Sequence, residues 1–194
     1  DQAETLLFNL LRGSGIAGAA AIREERTHGD LRILRPLLGL PRSAIEAYAV
    51  EHGLAWIHDE SNDDTALARG FLRSEVFPLL ARRFPGGDAN LARAAGHFAE
   101  AAGLLDELAA LDWASAADGA ALRLAALRDL SPPRLANLLR YHLRQLGWQV
   151  PPALRLAEFC RQLQTAGPDR HPALVLPEGT MHAARGLLRW APAK

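Results

Sequence analysis

Cysteine occurs once in these 194 residues, at Cys160, and lysine once, at Lys194. A single thiol excludes an internal disulfide and any cysteine-built zinc site within the chain. Its place in an apolar helical stretch predicts a small buried hydrophobe. No apolar run reaches the roughly 18 residues that a membrane-crossing helix needs, and no signal peptide is visible; the expectation is a cytoplasmic protein with no membrane partner. The seven histidines contain no pair at helical ligand spacing, so a metal site of their making is not expected. There is no internal repeat and no low-complexity segment.

Net charge is also missing, since 22 Lys/Arg balance 22 Asp/Glu. The balance is uneven along the chain. Residues 1–64 carry 6 basic against 11 acidic side chains, whereas residues 119–194 carry 11 against 4. A polyanion is drawn to the second region and repelled by the first unless a cation intervenes. Arginine suits forked phosphate contacts, although so complete a bias against lysine equally follows from genome composition.

The length allows one domain or two small ones. Leu6, Leu7, Leu10 and Leu11 recur at helical spacing, predicting a first helix over residues 2–11 that Gly13-Ser14-Gly15 ends, with a short second helix to Ile22. Arg23 to Asp30 reads as a charged loop and Leu31–Leu34 as a strand. Ser43 and Glu46 form a capping-box pattern opening a helix with Ile45, Tyr48 and Ala49 inward and Gly53 at its end. Ala55-Trp56-Ile57 reads as a strand and Asp59–Thr65 as a polar loop. Strand–helix alternation of this kind predicts a parallel sheet covered by helices.

Leu67 to Phe84 is helical in pattern, with Phe71, Leu72, Val76, Leu79 and Leu80 on its apolar side and Pro78 kinking or dividing it. Pro85-Gly86-Gly87 is the candidate domain boundary, giving domains 1–84 and 85–194. Asp88 then caps a long amphipathic helix through Leu91, Ala95, Phe98, Ala102, Leu105 and Leu108. Further helices are predicted over 131–146, with Pro132 and Pro133 in the first turn, and over 152–165. The tail changes period, and residues 173–176, 180–183 and 187–190 read as short strands joined by turns.

Asp1 and Glu4 lie one helical turn apart. Such a pair can hold an ammonium group by charge-assisted hydrogen bonds or share a magnesium ion; the bland alternative is a capping box. Arg12-Gly13-Ser14-Gly15 sets an arginine and backbone amides beside a helix start, where an anion can sit, or is simply a C-cap followed by an N-cap. Arg69 and Arg73 share a helix face and can grip one phosphate together, unless the face is merely solvated. On helix 131–146, inward Leu135, Leu138, Leu139, His142 and Leu146 leave Arg134, Arg140 and Arg144 outward as candidate RNA-phosphate contacts. Asp59, Ser61 and Asp63 alternate like calcium ligands, but Asp64 and Gly70 stand where an EF-hand needs glycine and glutamate.

Three blocks carry a family likeness. They are Asp1-Gln2-Ala3-Glu4-Thr5 with its leucines, Ile33-Leu34-Arg35-Pro36-Leu37-Leu38 followed by Arg42-Ser43-Ala44-Ile45-Glu46, and Trp56–Thr65 followed by Arg69-Gly70-Phe71-Leu72-Arg73. In this order they resemble the bacterial tRNA(Ile)-lysidine synthetase family over residues 1 to about 84. Beyond that the match is one of general character.

The resemblance implies the C-terminal part of a PP-loop ATPase-type, Rossmann-like α/β domain, then a mainly helical accessory domain ending in a small hairpin or sheet. It implies ATP, with Mg2+, as the adenylating reagent, L-lysine as co-substrate and a tRNA(Ile) with a CAU anticodon as partner. The C2 oxygen of the wobble cytidine is adenylated with release of diphosphate, and the lysine amine then displaces AMP. By the same likeness Asp1 and Glu4 recognise lysine, Arg12, Arg69 and Arg73 contact phosphates, and the basic accessory domain contacts tRNA. Gly70 stands where the family usually has asparagine, which leaves that helix's detailed role open. The family's S-G-G-x-D-S phosphate loop is not found in these residues. The chain is therefore expected to be part of something longer and inactive alone. The alternatives are another adenylating tRNA-modifying enzyme, against which the single cysteine argues, and a non-catalytic helical RNA-binding module.

Overall fold

A computed structural model describes residues 1–28, 31–57, 68–167 and 169–193. Asp30, the Asp59–Thr65 loop with its calcium-like pattern, Leu67 and Lys194 lie outside the described residues. The chain forms two compact units, Asp1–Ala102 and Gly103–Lys194.

In the first unit, α1 (Gln2–Leu11) and α2 (Ile16–Ala19) join through a turn at Gly13, whose positive φ of 75° favours glycine. Amide side chains hold the connection. Gln2 Nε2 donates to Ile22 O at 2.8 Å and Gln2 Oε1 accepts from Ile22 N at 2.9 Å, while Asn9 Nδ2 donates to Gly18 O at 2.8 Å. Leu6, Ala19 and Ala95, the last from α6 (Gly87–Ala116), form the buried centre of this unit. Leu10 and Leu11 are exposed.

Several local expectations change here. The predicted charged loop contains β1 (Glu25–His28), paired antiparallel with β2 (Leu31–Leu34). Its residues lack hydrophobic alternation because β2 beside it is exposed along its whole length. The described strands of this unit are antiparallel, so β1 and β2 do not supply the parallel order expected from strand–helix alternation.

Helix α3 (Arg42–Glu51) takes Pro41 as its N-cap, and Glu46 accepts from Arg42 Nε at 2.6 Å; there is no capping box at Ser43. None of its residues is buried, and Ile45 and Tyr48, expected inward, are exposed. Gly53 does end it, with φ of 60°. Ala55-Trp56-Ile57 is irregular rather than a strand.

The helix predicted to reach Phe84 is divided just before Pro78, one of the two outcomes expected of that proline. Short α4 (Ala68–Phe71) runs into a π-helical turn (Leu72–Val76) and then α5 (Phe77–Arg83), with Pro78 in its first turn. A proline has no N–H to give the preceding turn, and widening that turn relieves the clash of its ring. The widened turn also rotates the faces: Leu72 is buried, but Phe71 and Leu79 are exposed.

The second unit has the larger core. β3 (Ala117–Asp118) and β4 (Ala121–Arg123) follow α6, then α7 (Leu124–Arg128), α8 (Pro132–Gln145), α9 (Ala153–Thr165), β5 (Ala173–Leu176), β6 (Gly179–Ala184) and β7 (Leu187–Pro192). The three tail strands form as predicted, and β3 and β4 extend them to an antiparallel sheet of order β3-β4-β7-β6-β5. Two of those strands are too short for their period to show in the sequence. Alternation in β6 buries Gly179, Met181 and Ala183, and the last two share one core with Leu135, Leu138, Leu139 and Leu143 of α8 and Leu156, Phe159 and Cys160 of α9.

Cys160 is buried as expected, and burial pushes its thiol up to about 11. A two-residue turn, Arg185-Gly186, joins β6 to β7 with φ of 52° and 78°, the positive pair that matches strand twist in tight hairpins.

Candidate functional site

Helix α1, α4 and the π-helical turn bring together residues 69 positions apart. Arg73 Nε donates to Glu4 Oε1 at 2.8 Å and Nη2 to Oε2 at 2.7 Å, a forked pair. Asp1 Oδ1 lies 3.8 Å from the same Nη2. Asp1 is the N-cap of α1 but makes no side-chain capping bond, and Glu4 turns to Arg73 rather than back to the helix start. The capping-box alternative is therefore overturned.

The Glu4 side chain is only 17% exposed, whereas that of Asp1 is 76% exposed. The hydrogen bonds from Arg73 lower the Glu4 pKa against the opposing effect of burial. An ionised, largely buried carboxylate thus lies next to an open one at a helix start. The cation this pair faces within the chain is the Arg73 guanidinium.

One turn further along α1, Phe8 gathers two guanidinium groups. Arg12 Cζ lies 5.1 Å from the ring centroid and Arg69 Cζ 5.8 Å. Arg12 and Arg69 therefore meet around one ring, while Arg73 is turned to the carboxylates; Arg69 and Arg73 do not form a joint phosphate grip. Gly70 is buried between them, and its carbonyl accepts from Ser74 Oγ at 2.8 Å. Sequence reasoning missed Phe8. The available signal was its position four residues before Arg12, on the same face of α1.

In the second unit, α8 forms with Ser131 as N-cap and prolines in its first turn. Its predicted inward residues Leu135, Leu138, Leu139 and His142 are buried, with Leu143 as well, while Leu146 is half-buried. Two of its three candidate RNA-contacting arginines already have acidic partners on α6. Arg134 forks onto Asp112, and Arg144 Nη2 donates to Asp106 Oδ1. Arg140 is half-buried. Among the described residues no helix is long and apolar enough to cross a membrane, and no three His, Cys, Asp or Glu side chains group as metal ligands.

Two family models match, a PP-loop domain over residues 1–80 and a TilS substrate binding domain over residues 122–189. The tRNA(Ile)-lysidine synthase of Aromatoleum aromaticum is 51% identical over 93% of this chain, and that of Alkalilimnicola ehrlichii is 44% identical over all of it. The chain belongs to the tRNA(Ile)-lysidine synthase family. It spans 41% and 43% of the length of those two relatives. Within this family's PP-loop match fall Asp1, Glu4, Phe8, Arg12, Arg69 and Arg73, and within its substrate-binding match fall the three α8 arginines. The family resemblance drawn from three short sequence blocks thus extends across both units.

Proposed function

We propose that the intact protein joins L-lysine to C2 of the wobble cytidine of a tRNA(Ile) with a CAU anticodon, in the cytoplasm, through an adenylated tRNA. The C2 oxygen attacks the α-phosphorus of ATP and diphosphate leaves. The lysine amine then attacks C2, and AMP leaves with the C2 oxygen. The observation that carries this reading is the Glu4 carboxylate, held ionised by Arg73 beside Asp1.

In this reading Glu4 and Asp1 receive a lysine ammonium, and Arg73 is a positioning residue that fixes the Glu4 rotamer and charge. Arg12 and Arg69, gathered at Phe8, fit nucleotide or RNA phosphates by chemistry and charge. ATP supplies the activated phosphorus when bound. Magnesium is assigned to the nucleotide's phosphates, since among the described residues no three His, Cys, Asp or Glu side chains group to hold it.

We also assign residues 1–84 to the adenylating half and 85–194 to an accessory tRNA-binding half. The family matches, ending at 80 and resuming at 122, support that division. The compact units divide later, at Ala102, because Ala95 of α6 packs with Leu6 and Ala19.

The test is Glu4→Gln in the intact protein, assayed at saturating ATP and tRNA. The KM for lysine rises at least tenfold while tRNA-dependent diphosphate release persists. An unchanged KM would overturn the assignment.

A further inference from the structure

We propose that the second unit carries an RNA-phosphate groove built from Arg128, Arg170 and Arg185, away from the α8 arginines that the sequence singles out. A cavity of about 350 Å3 lies among α7, the chain leaving α9 and the β6–β7 turn, and these three arginines and His171 line it. A second hollow of about 300 Å3 adjoins it, shares Arg170 and His171, and adds Arg161. Together the two make one groove. Among the described residues no carboxylate lines either part.

The frame is fixed by the backbone. Leu124 N donates to Gly186 O at 2.9 Å and Ala183 N to Pro172 O at 2.8 Å. Arg128 spans the groove's base, donating from Nε to Leu163 O at 3.2 Å and from Nη2 to Ala166 O at 2.7 Å. These carbonyls orient its guanidinium without cancelling its charge.

Arg161 is balanced by Glu158, at 2.8 and 2.6 Å. Arg170 and Arg185 are exposed and make no ion pair among the described residues. They stand in contrast to Arg134 and Arg144, whose charge is already met by Asp112 and Asp106. The groove therefore holds uncompensated positive charge over an apolar floor of Leu124, Leu163 and Ala183.

That combination fits a phosphodiester with its sugar. Guanidinium forks meet the phosphate oxygens and the floor meets the ribose. A cationic ligand finds no counter-charge here, and the volume is at the small end for a whole drug-sized molecule. The choice of RNA as the polyanion rests on the function proposed above. All four arginines fall inside the substrate-binding match.

The experiment is filter binding of CAU-anticodon tRNA by the 194-residue chain at two salt concentrations. Arg170→Ala with Arg185→Ala is compared with Arg82→Ala with Arg83→Ala, an equal charge loss in the first unit. The groove variant binds at least tenfold more weakly at low salt and its salt slope falls by about two charges, while the control variant stays within threefold of the unaltered chain. Thermal melts confirm that the folds are equal, as expected for exposed side chains. Equal losses in both variants, or no loss in the groove variant, would overturn the groove while leaving the lysine assignment standing. An unaltered chain with no affinity for tRNA would overturn the RNA occupant, again separately from the lysine KM measured with Glu4→Gln.

Discussion

Arg73 and Glu4, 69 residues apart, share two hydrogen bonds of 2.8 and 2.7 Å, and this one pair ties the start of α1 to the π-helical turn after α4. Arg73→Ala removes the main cause of the lowered Glu4 pKa and leaves a largely buried carboxylate unpaired. Arg73 is one-third exposed, which moderates the cost, so the loss is roughly 1–2 kcal/mol at neutral pH. The sign with pH follows from the direction of the shift. A lowered folded-state pKa gives stability that is present above the ordinary carboxylate range and disappears as pH falls through the lowered value. Urea titrations of both chains at neutral and at strongly acidic pH should show a gap that closes on acidification. A gap of constant size would show that the pair does not control the Glu4 charge.

His142 offers a second pH handle, of opposite chemical type. Its ring stacks on Trp113 at 4.3 Å and meets the edge of Trp190 at 4.0 Å, and its Nε2 is buried without a partner. Burial lowers its pKa from 6.5 to about 4. The folded state therefore prefers the neutral ring, and stability is lost as pH falls from 6.5 towards 4, by roughly 2–3 kcal/mol in all. His142→Phe keeps an aromatic ring between the tryptophans and abolishes the orphaned nitrogen. Its Tm is expected to equal or exceed that of the parent at pH 7, and to fall less between pH 6.5 and 4. Parallel pH profiles would sink this reading.

The long periodic elements were legible: α1, α6, α8, α9 and the three tail strands all formed near their predicted bounds, because leucine spacing and proline placement record burial directly. The region between residues 23 and 57 was not. Its β2 is exposed along its whole length, with no buried face to impose a period, and α3 has amphipathic spacing without burying a residue. In the candidate site, Asp1 and Glu4 were legible as a pair from their spacing. Their partner Arg73 was assigned to phosphate instead, since no spacing rule links positions 4 and 73. The same limit hid Asp106 and Asp112 from the reading of α8: a helix's outward face can be read from its own sequence, but the carboxylates packed against it come from elsewhere.

Gly179 tests the packing of the tail sheet. A Cβ there would lie 2.3 Å from Ala191 O and 2.3 Å from Trp148 Cη2. The carbonyl belongs to the paired strand β7, so neither neighbour can yield without moving the sheet or the indole. Gly179→Ala should cost about 2–3 kcal/mol, towards the upper range for overpacking, and lower the Tm by several degrees. Gly103→Ala, with nothing within 4 Å of the new Cβ and a place inside α6, should instead match or raise the Tm. A Gly179→Ala chain that melts with the parent would mean that β6 and β7 can separate at little cost.

The two α8 ion pairs should differ in weight although both join an arginine to α6. Asp112 is 3% exposed and Arg134 47%, whereas Arg144 and Asp106 are each about one-third exposed. Removing Arg134 strands a buried charge; removing Arg144 leaves Asp106 able to reach water. Arg134→Ala should cost about 2–3 kcal/mol, below the range for a fully buried pair because its guanidinium is half solvated, and Arg144→Ala less than about 1 kcal/mol. Asp112→Asn with Arg134→Ala, which removes the stranded charge, should recover most of the first loss. Denaturant midpoints of the three chains decide the matter. Equal losses from Arg134→Ala and Arg144→Ala would show that burial of Asp112 does not set the energy of this contact.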